Sequence, residues 1–105
     1  MTAGQVVVLI SLLCRVYSAP EPVMQCMVAA ESDYNVNSIN GVHLGLAQYH
    51  PDTLEWLGEL AGRDPLWLHG YMPADATDPV YSLALMAYWV ANGRGSEWST
   101  WEGCQ

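Results

Sequence analysis

Basic side chains are scarce in this chain of 105 residues. It contains no lysine, and its three arginines, Arg15, Arg63 and Arg94, stand against eleven acidic residues, which gives a net charge of −8. Proteins that bind nucleic acids or anionic membranes rely on clustered lysine and arginine to contact phosphate groups. The composition therefore argues against a nucleic-acid partner.

Phenylalanine is absent as well, although the chain has five tryptophans and six tyrosines. Each of these rings carries a polar group, so the aromatic set suits surfaces that are partly apolar and partly wet, such as a sugar-binding groove. For any single ring, a place in the hydrophobic core is the more ordinary interpretation.

Long hydrophobic runs are also missing. The run VVVLISLL at residues 6–13 is too short to span a bilayer. It resembles the core of a signal peptide, but no positive charge precedes it, and Tyr17 stands where a small residue should precede the cleavage site. We prefer an internal helix over residues 4–18, buried on most sides and ended by Pro20.

Three more segments have the pattern of helices, with apolar residues at three- and four-residue spacing. They cover residues 20–32, 51–62 and 78–93. The last begins with Asp78 as its N-cap and Pro79 at its first position, and it ends at Gly93, as is typical of helix termini.

The remaining segments lack a helical pattern of this length. Residues 63–77 indicate turns and a loop, and residues 93–105 indicate a short terminal helix or turn. No segment alternates convincingly with a period of two. We therefore predict a single all-α domain of five or six helices over residues 1–105.

Glu31 is the candidate catalytic acid. It follows Val28 by three residues and Met27 by four, so it falls on the apolar face of the second predicted helix. It also lies in the last turn, where the helix dipole disfavours negative charge. Both effects favour the protonated carboxyl group that general-acid catalysis needs. A solvated glutamate at a helix end is the competing interpretation.

Other chemistries have weaker support. His43 and His50 are seven residues apart, with no cysteine or carboxylate at metal-ligand spacing, which argues against a zinc site. We interpret both, and His69, as solvated loop residues. Neither Ser32 nor any cysteine lies in a nucleophile motif, and no phosphate-binding glycine loop is present. We expect no metal and no cofactor.

Two motifs resemble the paired motifs of lytic transglycosylases and goose-type lysozymes: CMVAAESDYN at residues 26–35 and GVHLGLAQYHPDTL at residues 41–54. In that superfamily a helix ends in Glu-Ser, a polar loop follows, and a Gly-Leu-x-Gln segment comes next. The ending WSTWEGC at residues 98–104 is similar to resuscitation-promoting-factor-like domains, which close with a Trp-rich turn and a cysteine. The resemblance extends from Leu9 to Cys104.

The resemblance implies a small lysozyme-like fold. It also implies an enzyme that cleaves the β-1,4 glycosidic bond between N-acetylmuramic acid and N-acetylglucosamine in peptidoglycan, with Glu31 as general acid and base. The implied substrate-binding residues are Ser32, Gly45, Gln48, Tyr49 and Tyr81.

Three of these residues have expected roles in a glycan cleft. Gly45 would let the main chain approach a sugar closely. Gln48 would offer a donor and an acceptor to an N-acetyl group, and Tyr49 would stack on a sugar or orient the acid. Anchoring of the loop is the structural alternative for Gln48 and Tyr49.

The chain departs from the family pattern at four positions. Asp33 and Tyr34 stand where the family usually has small residues, and His43 is not part of the common pattern. Tyr81 stands where many transglycosylases have asparagine. These departures concern the substrate cleft rather than the identity of the acid.

The three cysteines, Cys14, Cys26 and Cys104, allow three pairings and leave one thiol over. The resemblance pairs a cysteine near the catalytic helix with one after the terminal Trp-rich turn, which implies a Cys26–Cys104 disulfide. Cys14 would then be an inert buried thiol. A disulfide points to an extracellular, cell-envelope or phage-virion location.

The acids nearest Glu31 in sequence, Asp33 and Asp52, are poorly placed to serve as a second carboxylate. Asp33 follows the helix end, and Asp52 suits the N-terminus of the next helix. We therefore expect the substrate's own N-acetyl and 6-hydroxyl groups to assist, so that cleavage leaves 1,6-anhydromuramoyl ends.

The alternatives are a hydrolytic lysozyme and an inactive glycan-binding or structural module of a phage or envelope assembly. The expected partner is the peptidoglycan glycan strand, bound by a monomer that does not span a membrane.

Overall fold

Helices make up most of the fold. The computed structural model describes residues 1–63 and 75–105. Its α-helices are α1 (Ala3–Tyr17), α2 (Glu21–Ser32), α3 (Pro51–Ala61) and α4 (Pro79–Ala91). Its other elements are the strands β1 (Ile39–Asn40) and β2 (His43–Leu44) and two 3₁₀ turns, Gly95–Glu97 and Glu102–Cys104.

The prediction of a mainly helical domain is confirmed, with two corrections. The described residues hold four α-helices rather than five or six, because the C-terminal residues form 3₁₀ turns. They also contain a two-stranded sheet, so the all-α prediction was wrong in that detail. Most of the loop predicted at residues 63–77 lies outside the described residues.

Helix α4 lies at the centre of the hydrophobic core. Every residue from Tyr81 to Val90 is buried, and α1 and α3 pack against this helix. A helix that is apolar on all sides must be buried by neighbouring elements in this way. As predicted, Asp78 caps the first turn by accepting a hydrogen bond from Tyr81 N at 2.9 Å, and Pro79 is the first helical residue.

Helix α1 buries one face and exposes the other. Val6 and Ile10 are buried on the side where α1 packs against α2 and α4. Val8, Leu12 and Val16 remain 60%, 52% and 62% exposed. The predicted helix is confirmed, but its burial on most sides was wrong because the described elements cover only one face. Among the described helices, none is long and apolar enough to cross a membrane.

A two-residue turn joins β1 to β2. Asn40 pairs with His43 and Ile39 with Leu44, in antiparallel register. Gly41 has a φ of +63°, which suits the first central position of a type II′ hairpin turn. Strands of two residues are too short to show alternation, so the periodicity did not reveal them. Gly41 after Asn40 was the available signal, since such a pair marks a turn in the chain.

A disulfide joins α2 to the C-terminal 3₁₀ turn. Cys26 and Cys104 are bonded, with their Cα atoms 5.6 Å apart, which confirms the predicted pairing. Cys14 is a free and buried thiol, also as predicted. Burial, and secondarily the charge of Glu21, raises the pKa of Cys14 from 9.0 to about 11.

Reduction of the disulfide should destabilise the fold. The two cysteines are 78 positions apart, and a crosslink over such a loop is worth about 4 to 5 kcal/mol in the chain-entropy model. We expect dithiothreitol to lower the free energy of unfolding in denaturant by about that amount. The double variant Cys26→Ser/Cys104→Ser is the control, because dithiothreitol should not change its stability further. An unchanged wild-type stability after complete reduction would contradict this expectation.

Cys14 should resist alkylation while the protein is folded. The thiolate is the reactive form, and the raised pKa of Cys14 leaves little of it at pH 8. Iodoacetamide at this pH should modify Cys14 only after guanidinium chloride has unfolded the chain, as read by mass spectrometry. Rapid modification of the native protein would show that the thiol is accessible and ionised.

Candidate active site

Glu31 extends from the last turn of α2. The helix ends there as Asp33 and Tyr34 take left-handed conformations, with φ of 52° and 59°. Asp33 N donates to Ala29 O at 2.9 Å and so closes the last turn. From the C-terminal segment, Thr100 Oγ1 donates a hydrogen bond to Glu31 Oε2 at 2.9 Å. This bond orients the carboxylate.

Two cavities lie beside Glu31, and we refer to them together as the Glu31 cleft. The residues that line both are Glu31, His43, Gln48 and Ser99. Ala30 and Asn40 complete the first cavity, of about 250 Å³, and Glu97 and Trp98 complete the second, of about 270 Å³. Most of these side chains carry hydrogen-bonding groups, so the cleft suits a ligand rich in hydroxyl and amide groups.

Buried hydrogen bonds dock residues 45–49 onto α4. Ser82 Oγ accepts from Ala47 N at 3.3 Å, and Ser82 O accepts from Tyr49 Oη at 2.8 Å. On the other side, Trp98 Nε1 donates to Ala47 O at 3.1 Å. Polar groups in a low-dielectric core depend strongly on such partners. The segment is therefore held between α4 and the C-terminal turns, and its residue Gln48 lines the cleft.

Gln48 has a different role for each end of its amide. Nε2 donates to Ser38 O at 3.1 Å and to Gly45 O at 2.8 Å, so the amide nitrogen anchors the loop. Oε1 is buried and has no hydrogen-bond partner among the described residues. A buried acceptor without a donor costs about 1 to 3 kcal/mol. Anchoring of the loop, the alternative to sugar binding for Gln48, thus describes its amide nitrogen. Its amide oxygen has no donor among the described residues.

Gly45 contacts the main chain of Ala76. Its φ is +77°, and a Cβ atom at this position would overlap Ala76 O. Glycine is needed here because two segments of the protein approach each other closely. The structure thus explains this glycine by a contact inside the protein, not by the approach of a sugar.

Three other predicted site residues do not line the Glu31 cleft. Tyr49 is buried, and its ring packs edge-on against Trp98 with the ring centres 5.8 Å apart, so it is not available to stack on a sugar. Ser32 is buried, and its Oγ donates to Val28 O at 3.1 Å. Tyr81 lines a separate cavity of about 410 Å³ beside α3.

The cleft also contains residues that the sequence did not indicate. His43, interpreted from the sequence as a solvated loop residue, is exposed and lines both cavities, and its ring centre lies 6.0 Å from that of His50. No local pattern connects Glu97, Ser99 or Thr100 to α2, because their segment is far from this helix in the chain.

Arg94 holds the Glu97 side of the cleft. The Arg94 guanidinium lies 5.1 Å from the ring centre of Trp56 and 5.3 Å from that of Trp89. Its Nη1 lies 3.7 Å from Glu97 Oε1. Contacts with two aromatic rings restrict the guanidinium. The ion pair therefore places the restrained Arg94 guanidinium beside the Glu97 carboxylate.

Neither a metal-ligand cluster nor a known relative identifies the chemistry of the cleft. Within residues 1–63 and 75–105, no group of three or more histidine, cysteine, aspartate or glutamate residues could hold a metal ion. No protein-family model, curated protein or solved structure matches the chain.

Replacement of Gly45 by alanine should destabilise the protein more than the same change at Gly93. Both glycines have positive φ, but a Cβ at Gly93 meets nothing within 4 Å. We expect Gly93→Ala to cost about 1 to 2 kcal/mol for the left-handed conformation alone. Gly45→Ala adds the overlap with Ala76 O and should cost about 3 kcal/mol or more. Equal losses in denaturant unfolding would contradict the close contact at Gly45.

Proposed function

We propose that this protein cleaves the β-1,4 glycosidic bond between N-acetylmuramic acid and N-acetylglucosamine in peptidoglycan, with Glu31 as general acid. The position of Glu31 carries the proposal. It lines both cavities of a polar cleft, and Thr100 orients its carboxylate. A carboxyl group placed against a bound sugar chain is the basic requirement for glycosidic cleavage.

The lining of the cleft supports a glycan ligand. Asn40 and Ser99 each have side chains that donate and accept hydrogen bonds. Gln48 also lines the cleft, and its buried Oε1 is an acceptor with no hydrogen-bond partner among the described residues. Such partners match the N-acetyl and hydroxyl groups of peptidoglycan sugars.

Cleavage begins in this proposal with transfer of the Glu31 proton to the glycosidic oxygen. The bond from that oxygen to C1 breaks, and positive charge develops on the sugar ring. Attack of the sugar's own 6-hydroxyl on C1 gives the anhydro end of a lytic transglycosylase. Attack of water gives the reducing end of a lysozyme. The sequence alone favoured the first outcome, since it offered no second carboxylate.

The proposed class is that of the lytic transglycosylases and goose-type lysozymes. The motifs around Glu31 and Gln48 support it, together with the Trp-rich ending. The Cys26–Cys104 disulfide supports an extracellular, cell-envelope or virion location. We propose a monomer acting on glycan strands. An inactive glycan-binding or structural module with the same cleft is the alternative, and cleavage assays distinguish the two.

Replacement of Glu31 by glutamine should abolish cleavage without unfolding the protein. The change removes the acid but keeps the side-chain shape, so we expect a loss of about 10²- to 10⁴-fold in the clearing of a peptidoglycan suspension. The matched control is Glu102→Gln, because Glu102 is exposed and lies outside the Glu31 cleft. Thermal unfolding of both variants should stay close to that of the wild type.

Two outcomes of this assay would contradict the proposal. Activity of Glu31→Gln within a few-fold of the wild type would remove Glu31 as the acid. Binding of peptidoglycan by the wild type without any cleavage would favour the inactive module.

The Thr100 hydroxyl should matter for activity because it orients the carboxylate of Glu31. Thr100→Val keeps the shape but removes the donor, and we expect kcat/KM to fall by about tenfold. Thr100→Ser keeps the hydroxyl and should retain most of the activity. If the valine and serine variants cleave peptidoglycan equally well, the hydrogen bond has no part in catalysis.

A further inference from the structure

The fold brings a second carboxylate to Glu31. The cavity of about 270 Å³ is lined by Glu31 from the end of α2 and by Glu97 from the first 3₁₀ turn. Gln48 lines the same cavity; it is only 8% exposed and keeps an unpartnered Oε1. The two acids considered from the sequence, Asp33 and Asp52, are exposed as Glu97 is, but they line neither cavity of the cleft.

The two carboxylates have different surroundings. Thr100 donates a neutral hydroxyl hydrogen bond to Glu31, whereas Glu97 lies 3.7 Å from the Arg94 guanidinium. The residue after Glu97, Trp98, is buried and bonded to Ala47 O, which fixes the main chain beside Glu97. In a glycosidase with two carboxyl groups, one acts as the acid and the other as the base or nucleophile.

We infer that Glu97 is the second catalytic carboxylate and acts as the base that activates water; the inference rests on the proposed function. Glu31 gives its proton to the glycosidic oxygen, and the bond to C1 breaks with its electron pair passing to that oxygen. Water bonds to C1 from the opposite face and gives one proton to Glu97. N-acetylglucosamine leaves with a free hydroxyl, and N-acetylmuramic acid gains a reducing end. Glu97 then loses its proton to solvent, and solvent gives a proton to Glu31.

The assignment changes the expected product from an anhydro end to a hydrolysed end. A pair in which one carboxylate activates water is about 6.5 to 9.5 Å apart and inverts the configuration at C1. The cavity that both carboxylates line has a volume of about 270 Å³, which is larger than the about 30 Å³ that one water molecule takes up.

The test compares the products of the wild type and of Glu97→Gln after digestion of purified peptidoglycan in heavy-oxygen water. The wild type should release reducing ends that carry one heavy oxygen. Glu97→Gln should lose about 10²- to 10⁴-fold in rate while its thermal unfolding stays close to the wild type. Glu102→Gln, in the neighbouring turn, is the matched control and should behave as the wild type.

Azide distinguishes a catalytic role of Glu97 from a structural one. In Glu97→Ala the space of the carboxylate is open, so azide can attack C1 directly without a base. We expect azide to restore cleavage and to form a glycosyl azide with inverted configuration. A residue that only maintains the fold would show no such rescue, and absence of the azide product would overturn the assignment.

The remaining outcomes separate this inference from the proposed function. Unlabelled anhydro ends from the wild type, or Glu97→Gln activity within threefold of the wild type, would overturn the role of Glu97 and leave Glu31 as the acid. Loss of hydrolysis in His43→Ala with full activity in Glu97→Gln would transfer the base role to His43. A wild type that cleaves no peptidoglycan would remove the proposed function, and the role of Glu97 with it.

Discussion

Two hydrogen bonds to Ser82 on the buried helix α4 hold the part of the chain on which the cleft depends. Ser82 accepts one bond from Ala47 N and one from Tyr49 Oη, and it is fully buried. Groups that have lost their water in this way must find partners inside the protein. Since residues 45–49 are tied to the core by these bonds, Gln48 is held in a left-handed conformation and lines the cleft.

The C-terminal segment closes the cleft from the other side. Its two 3₁₀ turns are short and have little stability of their own. Three long-range connections compensate: the Trp98 hydrogen bond to Ala47, the disulfide to α2, and the Thr100 hydrogen bond to Glu31. The orientation of the Glu31 carboxylate therefore depends on the C-terminal segment as well as on α2.

Local signals in the sequence predicted the helices well. The Asp78 cap and the following proline marked the start of α4, and three- and four-residue spacing marked α2, whose end at Ser32 places Glu31 in the last turn. The disulfide followed from the family resemblance, since the spacing of three cysteines does not select a pairing. The hairpin was missed because strands of two residues leave no periodic signal.

The sequence by itself determined the helical character of the domain, the place of Glu31 at a helix end, and the motifs that suggest a glycan-cleaving class. The tertiary structure alone decided which side chains share a cavity with that acid. It placed Tyr49 in the core and Gly45 against Ala76, and it brought Glu97 to the cleft. Helix caps and periodicity depend on neighbours within about four residues. A cleft forms where distant segments pack together, and that packing is set by burial summed over the whole core.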